Sequence, residues 1–281
     1  MAENDTASSI ILGALKNVLR FRNSIFVTKL SGSVVDHEDR LAPILKDIDL
    51  LSRIGIRQIV VHGAGNAIST AMKSAGLDPV FLEGKRVTDE RVMRIVQDVL
   101  TEMNRRILDS ADHLDSRFVG LEESGCRTEP VFTAVQGDPR FGFVGKVDNV
   151  DTQWLTERLA YGMIPVFPSF ARGMDGQPYN INADDMASAI ALALGAKKLI
   201  YVSDVPGVMD GDRLIGTLDK RSSEDLIAQG VISGGMIPKV RSIFETIGSG
   251  VQNVHLVDGT KDRSLLLEIM TEAGTGTMFS L

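Results

Sequence analysis

Apolar positions recur along this chain in two alternating rhythms. Short runs rich in β-branched residues, Ile25 to Lys29, Gln58 to Val61, Lys198 to Val202 and Val254 to Val257, show little polar alternation. They predict strands buried on both faces. Between them, apolar residues return every three or four positions over Leu41 to Ile54, Ala67 to Ala75, Thr88 to about Leu108, and Asp151 to Ala160. The same spacing covers Met186 to Leu194, Ser222 to Gln229, the stretch up to about Ile247, and Leu265 to Met270. These predict helices, with Gly55 and Gly195 as stops and Thr88 as a cap. Gly162 to Phe170 reads as a strand interrupted by Pro165 and Pro168, Gln136 to Asp148 as a hairpin or flap, and Gly120 to Thr133 as loop and short strands. Strands alternating with helices imply an α/β protein with a mainly parallel sheet. A further helix, Ile10 to Phe21, precedes the first strand and carries Ile11, Leu15, Val18 and Leu19 on one stripe. That stripe fits equally a partner in its own domain or one in another subunit.

Composition narrows the class. With 281 residues the chain holds one large or two ordinary domains. Its 43% hydrophobic and 24% charged residues are those of a soluble globular protein. A net charge of −7 argues against nucleic acid as a partner. One cysteine, Cys126, excludes an internal disulfide and a multi-cysteine metal site. No apolar run reaches membrane-spanning length, and Glu3 and Asp5 stand where a secretory signal would be basic, so a cytoplasmic protein is expected. The histidines at 37, 62, 113 and 255 are scattered, no G-x-S-x-G motif suggests acyl transfer, and the Asp210-Gly211-Asp212 turn lacks the other ligands of a calcium loop.

Candidate chemistry gathers at turns. The stretch Tyr179 to Asp185 places two amides and two carboxylates directly before an apolar helix, with Asn182 as its cap and Asp184 and Asp185 in its first turn. An ordinary capped helix with solvated acids is the alternative. The first strand delivers Lys29 into the small-residue turn Leu30-Ser31-Gly32-Ser33, a phosphate-friendly arrangement if the lysine is not simply solvated. His62-Gly63-Ala64-Gly65-Asn66 joins a strand to a helix, but Ile68 breaks the dinucleotide fingerprint. Arg86 sits in a loop where it could fork onto a carboxylate or stand exposed. Ser203-Asp204-Val205-Pro206-Gly207-Val208 opens from a strand end, and Ser233-Gly234-Gly235-Met236-Ile237-Pro238-Lys239 brings a second lysine to glycines. Two lysines among amide-donor turns, with no nucleophile, are what phosphoryl transfer needs.

Seven of these stretches occur in the order found in a known group: Lys29 to Ser33, Val60 to Gly65, Arg86 to Asp89, Tyr179 to Asp184, Ser203 to Val208, Gly234 to Lys239, and Leu267 to Thr277. On them the chain resembles the amino acid kinase family, in particular its branch acting on N-acetyl-L-glutamate. The resemblance implies a three-layer αβα sandwich. It also implies an N-terminal oligomerisation helix over 1–22, an acyl-amino-acid lobe over 23–178 and an ATP lobe over 179–281. Lys29 and Lys239 would flank the transferring phosphoryl group, and Asp184 would hold both ammonium groups. Gly32, Gly63 and Gly65 would donate amides to phosphates, and Ala64 would border the acceptor with them. Arg86 would grip the α-carboxylate, and Asn180 and Asn182 the acceptor's other polar atoms. Ser203, Asp204, Gly207, Gly235 and Met236 would line the nucleotide pocket, with Mg2+ carried by the ATP phosphates and no metal held by the protein. The implied product is an acyl phosphate, the second step of arginine biosynthesis. The N-terminal helix with Glu268, Gly274 and Gly276 resembles an arginine-inhibited branch, implying an arginine effector and a homo-oligomer, dimer or hexamer. Alternatives are a kinase for an aminoadipate derivative and a catalytically weak arginine or nucleotide sensor. Ser31 and Ala64 stand where the family usually has glycine, and a Cβ at positive φ would cost about 1 kcal/mol. Arg263 stands where arginine-sensitive members often have histidine.

Overall fold

The computed structural model describes residues 2–120 and 131–281. Much of the loop expected over Gly120 to Thr133 therefore lies outside the described residues. The first half runs α1 (Ala2–Phe21), β1 (Ile25–Leu30), α2 (Gly32–Val35), α3 (Glu38–Arg53), β2 (Arg57–His62) and α4 (Gly65–Ser74). It continues with β3 (Phe81–Leu82), β4 (Lys85–Arg86), α5 (Glu90–Ala111), β5 (Arg117–Val119) and β6 (Phe132–Gln136). After a 3-10 turn, Pro139–Phe141, come β7 (Gly145–Val150), α6 (Thr152–Ala160), β8 (Met163–Pro168), β9 (Phe170–Arg172) and β10 (Pro178–Asn180). Next are α7 (Ala183–Ala193), β11 (Lys198–Ser203), β12 (Met209–Asp210), β13 (Arg213–Leu214) and β14 (Thr217–Leu218). The chain closes with α8 (Lys220–Ala228), α9 (Met236–Gly248), β15 (Val254–Asp258), α10 (Ser264–Met270) and β16 (Thr277–Phe279).

The apolar runs assemble into one eight-stranded sheet in the order β14-β16-β15-β11-β1-β2-β8-β5. From β15 to β5 it is parallel; β16 runs antiparallel to β15. Side chains alternate across it because successive Cβ atoms point to opposite faces. On one face Val27, Ile59, Val61, Leu199 and Tyr201 pack with residues of α6, α7 and α9. On the other, Phe26, Leu30, Val60, Ile200 and Val202 pack with α3, α4, α5 and α10. Two cores on one sheet make the three-layer αβα sandwich. A smaller four-stranded sheet, β10-β9-β6-β7, carries the expected hairpin as β6 and β7.

Several boundaries differ from the sequence reading. Helix α1 begins at Ala2 rather than Ile10. The cap of α5 is Asp89, whose carboxylate accepts the Val92 amide, while the Thr88 hydroxyl donates to the Arg86 carbonyl. Both residue types suit the position, and only the local backbone decides between them. Asn182 caps α7 as expected, accepting from the amides of Asp184 and Asp185. The short α2 was not anticipated; four residues carry no readable period. The α1 stripe divides: Val18 packs against the core, while Ile11, Leu15 and Leu19 remain exposed, as does Leu12 beside them.

Candidate active site

Three adjacent parallel strands, β11, β1 and β2, end at one level, with Leu30 in register with both Val202 and His62. Their carboxyl ends therefore present Lys29, Gly63 and Ser203 along one rim, where open α/β sheets bind ligands. Helix α7 rises above it with Asp184 in its first turn. Lys29 Nζ lies 2.7 Å from Asp184 Oδ1, and the two side chains keep only 15% and 27% of their exposure. Partial desolvation strengthens such a contact relative to an exposed pair. Lys239, in the first turns of α9, donates to Ser203 Oγ at 3.3 Å. Burial lowers its pKa, the nearby Lys29 charge adds to that, and Asp184 and Asp204 oppose it. The two ammonium groups thus share one electrostatic site. Among the described residues, Asp184 ion-pairs with Lys29, whereas Lys239 is steadied by Ser203.

Beside this pair opens a cleft of about 310 Å³. It is lined by Lys29, Gly32, Gly63, Ala64, Gly65 and Arg86 from the first half, and by Asn180, Asn182 and Asp184. All residues expected to bind the acceptor are therefore brought together. Gly63 is close-packed: a Cβ there would stand 3.3 Å from Ala183 Cβ, across the junction of β2 and α7. Ala64 has φ −146° and Ser31 φ −73°, so neither replacement for glycine incurs left-handed strain. Ala64 is 2% exposed and belongs to the core on that face of the sheet while also bordering the cleft. Ser31 Oγ pairs with Ser33 Oγ at 2.8 Å.

The polar walls are already partly engaged. Asn182 Oδ1 accepts two α7 amides, leaving its Nδ2 for a ligand. Asn180 Nδ2 donates to Thr88 Oγ1 at 3.2 Å, leaving its oxygen as an acceptor. Arg86 is 7% exposed; its Nη2 donates to the Gly65 carbonyl at 2.9 Å and to Ser69 Oγ at 2.8 Å, and its guanidinium stacks on Phe81. Behind the Gly63 turn, His62 is fully buried with Asn104 Nδ2 at 3.1 Å from Nε2. Burial drives its imidazole pKa down to about 3, so it is neutral.

Of the residues expected on the nucleotide side, Gly32 lines that cleft, while Ser203, Asp204, Gly207, Gly235 and Met236 lie outside it. Ser203 closes β11, with its hydroxyl 3.2 Å from Asp204 Oδ1. Gly207 has φ +127°, and a Cβ would press on Thr277 Oγ1 and Leu214, so only glycine fits the turn. Gly235 caps α9 and Met236 opens it.

Glu268, Gly274 and Gly276 meet in a second cleft of about 290 Å³, with Arg20 of α1 and Lys198 on its walls. Glu268 Oε1 lies 2.6 Å from His255 Nδ1, and its Oε2 accepts the Thr275 and Gly276 amides. Lys198 Nζ lies 2.6 Å from His255 Nε2. Burial lowers the Lys198 pKa to about 8 despite the attraction of Glu268. A lysine opening a buried strand and a histidine inside another were the available signals for these two residues. Arg263 takes φ +57° and pairs with buried Asp47 at 3.0 Å.

Paired lysines at a strand-end rim, amide turns and an adjoining polar cleft define a phosphotransferase site. The amino acid kinase family profile matches residues 24–258, and the chain belongs to this family. Among its relatives, acetylglutamate kinase of Chlorobium chlorochromatii is 38% identical over 99% of this chain and 97% of its own length. Acetylglutamate kinase of Chlorobium phaeobacteroides is 40% identical over 96% of this chain and 89% of its own. By structure, N-acetylglutamate synthase from Neisseria gonorrhoeae superposes with TM-score 0.86 at 23% identity, covering 97% of this chain and 65% of that one. Carbamate kinase from Giardia lamblia superposes with TM-score 0.63 at 14% identity, over 92% and 98%. Both share the fold.

Proposed function

We infer that this protein catalyses ATP-dependent phosphorylation of the side-chain carboxylate of N-acetyl-L-glutamate, as an acetylglutamate kinase in arginine biosynthesis. The acceptor carboxylate is already an anion and needs no general base. The barrier is repulsion between it and the triphosphate, together with charge developing on the transferring group. Lys29 and Lys239, approaching from neighbouring strand and helix ends, offset both. Asp184 orients Lys29, and Ser203 orients Lys239. The Ala64 and Gly65 amides of the turn are offered to the reacting oxygens, while the Gly63 amide donates to the Leu30 carbonyl. Mg2+ carried on the nucleotide phosphates would shield their charge. The carboxylate oxygen bonds to the γ-phosphorus as the β–γ bridge breaks, giving an acyl phosphate and ADP.

The observation that carries the site assignment is the Lys29–Asp184 pair at the mouth of the acceptor cleft, with the Lys239 charge felt there. Trapping the acyl phosphate with hydroxylamine in a Mg-ATP assay tests it. Lys239→Ala is expected to lower kcat at least about 100-fold with little change in acetylglutamate binding. A near-normal rate would remove Lys239 from the proposed role.

We assign 23–178 to the acceptor lobe and 179–281 to the nucleotide lobe, with Asn180, Asn182 and Asp184 of the second also lining the acceptor cleft. The second cleft suits arginine as an effector, because its walls combine the Glu268 carboxylate with Lys198 and Arg20. The exposed apolar residues of α1 suit a homo-oligomer, dimer or hexamer. Among the described residues no helix is long and apolar enough to cross a membrane, and a cytoplasmic enzyme is the reading adopted.

A further inference from the structure

Three hydroxyls meet between the sheet and its covering helices, each from a different element: Tyr201 on β11, Ser188 on α7 and Thr246 on α9. Tyr201 is buried within the core that holds Ile190, Ile243 and Ile247, and Thr246 is buried too. Ser188 Oγ lies 3.1 Å from the Tyr201 hydroxyl and 3.0 Å from Thr246 Oγ1. Ser188 also donates to the Asp184 carbonyl at 2.8 Å, and Thr246 to the Ser242 carbonyl at 3.0 Å. Each hydroxyl has one proton. Two of the three protons are therefore spent on the helices' own carbonyls, and that of Tyr201 is left to join the cluster. Burial raises the phenol pKa and the Asp184 charge adds to that, so Tyr201 keeps its proton. Without it, the Ser188 and Thr246 oxygens would face each other with no proton between them, unless one released its helix carbonyl. The same three elements set the rim. Asp184 stands one turn before Ser188 on α7, Lys239 two turns before Thr246 on α9, and Tyr201 is in register with Lys29. Apolar contacts are non-directional, whereas a satisfied hydrogen-bond cluster fixes one arrangement.

We propose that Tyr201 is a positioning residue: its hydroxyl ties α7 to α9 through Ser188 and Thr246, and so holds Asp184 in place against Lys29 and Lys239. This rests on the phosphotransferase role assigned to those three residues. In the hydroxylamine assay Tyr201→Phe is expected to lower kcat about fivefold, with acetylglutamate KM within about twofold. Thr246→Val is expected to match it, and Thr246→Ser to keep the wild-type rate. Added to Asp184→Asn, Tyr201→Phe is expected to cost nothing further, because the carboxylate it positions is gone. If kcat stays within about twofold of wild type in both Tyr201→Phe and Thr246→Val, whatever their urea midpoints, the hydroxyls serve stability alone and the proposal is overturned. An undiminished fivefold loss on top of Asp184→Asn would overturn it as well. Asp184→Asn by itself separates the two levels. A near-normal rate for it removes the site assignment. A rate that falls with it but not with Tyr201→Phe removes only the role of the hydroxyl cluster.

Discussion

A lysine at the end of a strand is ordinary until something removes it from water. Lys29 becomes unusual because Asp184 meets it 2.7 Å away at a half-closed rim. Asp184→Asn removes the charge that orients this ammonium, and kcat is expected to fall at least about tenfold in the hydroxylamine assay while acetylglutamate KM changes little. Ala64 illustrates the opposite case. Its φ is negative and its methyl is buried, so Ala64→Gly is expected to cost about 0.5–1 kcal/mol in urea unfolding. Restoring the family's usual glycine therefore brings strain relief of none. His62 ties stability to pH. Its folded pKa is lowered from 6.5 to about 3, so the unfolded chain takes up the proton first. Its contribution is complete above pH 6.5 and is lost as pH falls toward 3. Urea midpoints measured across that window should drop with acid, and less so in His62→Gln. The motif residues were legible one by one, because strand-end lysines and glycine turns leave marks in sequence. Lys198 and His255 were not, because their surroundings come from strands and helices far away in the chain.

At the scale of elements, caps decide where helices begin. Asn182 was readable because an amide followed by two acids suits a first turn. The choice of Asp89 over Thr88 depended on backbone geometry, which propensity does not rank. Asp47 does more than cap: one oxygen takes Arg263 and the other accepts the Leu266 amide at the start of α10. It joins α3 to the helix that carries Glu268. Asp47→Ala would leave Arg263 at a left-handed backbone without its partner, and a loss of about 1–3 kcal/mol in thermal or urea unfolding is expected. The sequence offered no hint of this pair, since its members stand on α3 and before α10, at opposite ends of the chain.

At the scale of the molecule, uninterrupted apolar runs predicted a parallel sheet covered on both faces, and two cores on either side of eight strands bear that out. The antiparallel return of β16 was not readable, because three residues carry no direction. The outward face of α1 exposes Leu12 to 58% and Leu15 to 54%. Leu12→Glu with Leu15→Glu is expected to lower the mass seen by light scattering while the rate per active site is kept; an unchanged mass would place the subunit contact elsewhere.

Strand β11 begins with Lys198 in one cleft and finishes with Ser203 under the other lysine of the rim. Its whole length is about 17 Å, and its two ends face opposite layers of the sandwich. A shift of half a residue at one end has no slack to dissipate in before reaching the other. Inserting a single residue into this beam would exchange the faces of the side chains beyond it, disturbing both clefts together.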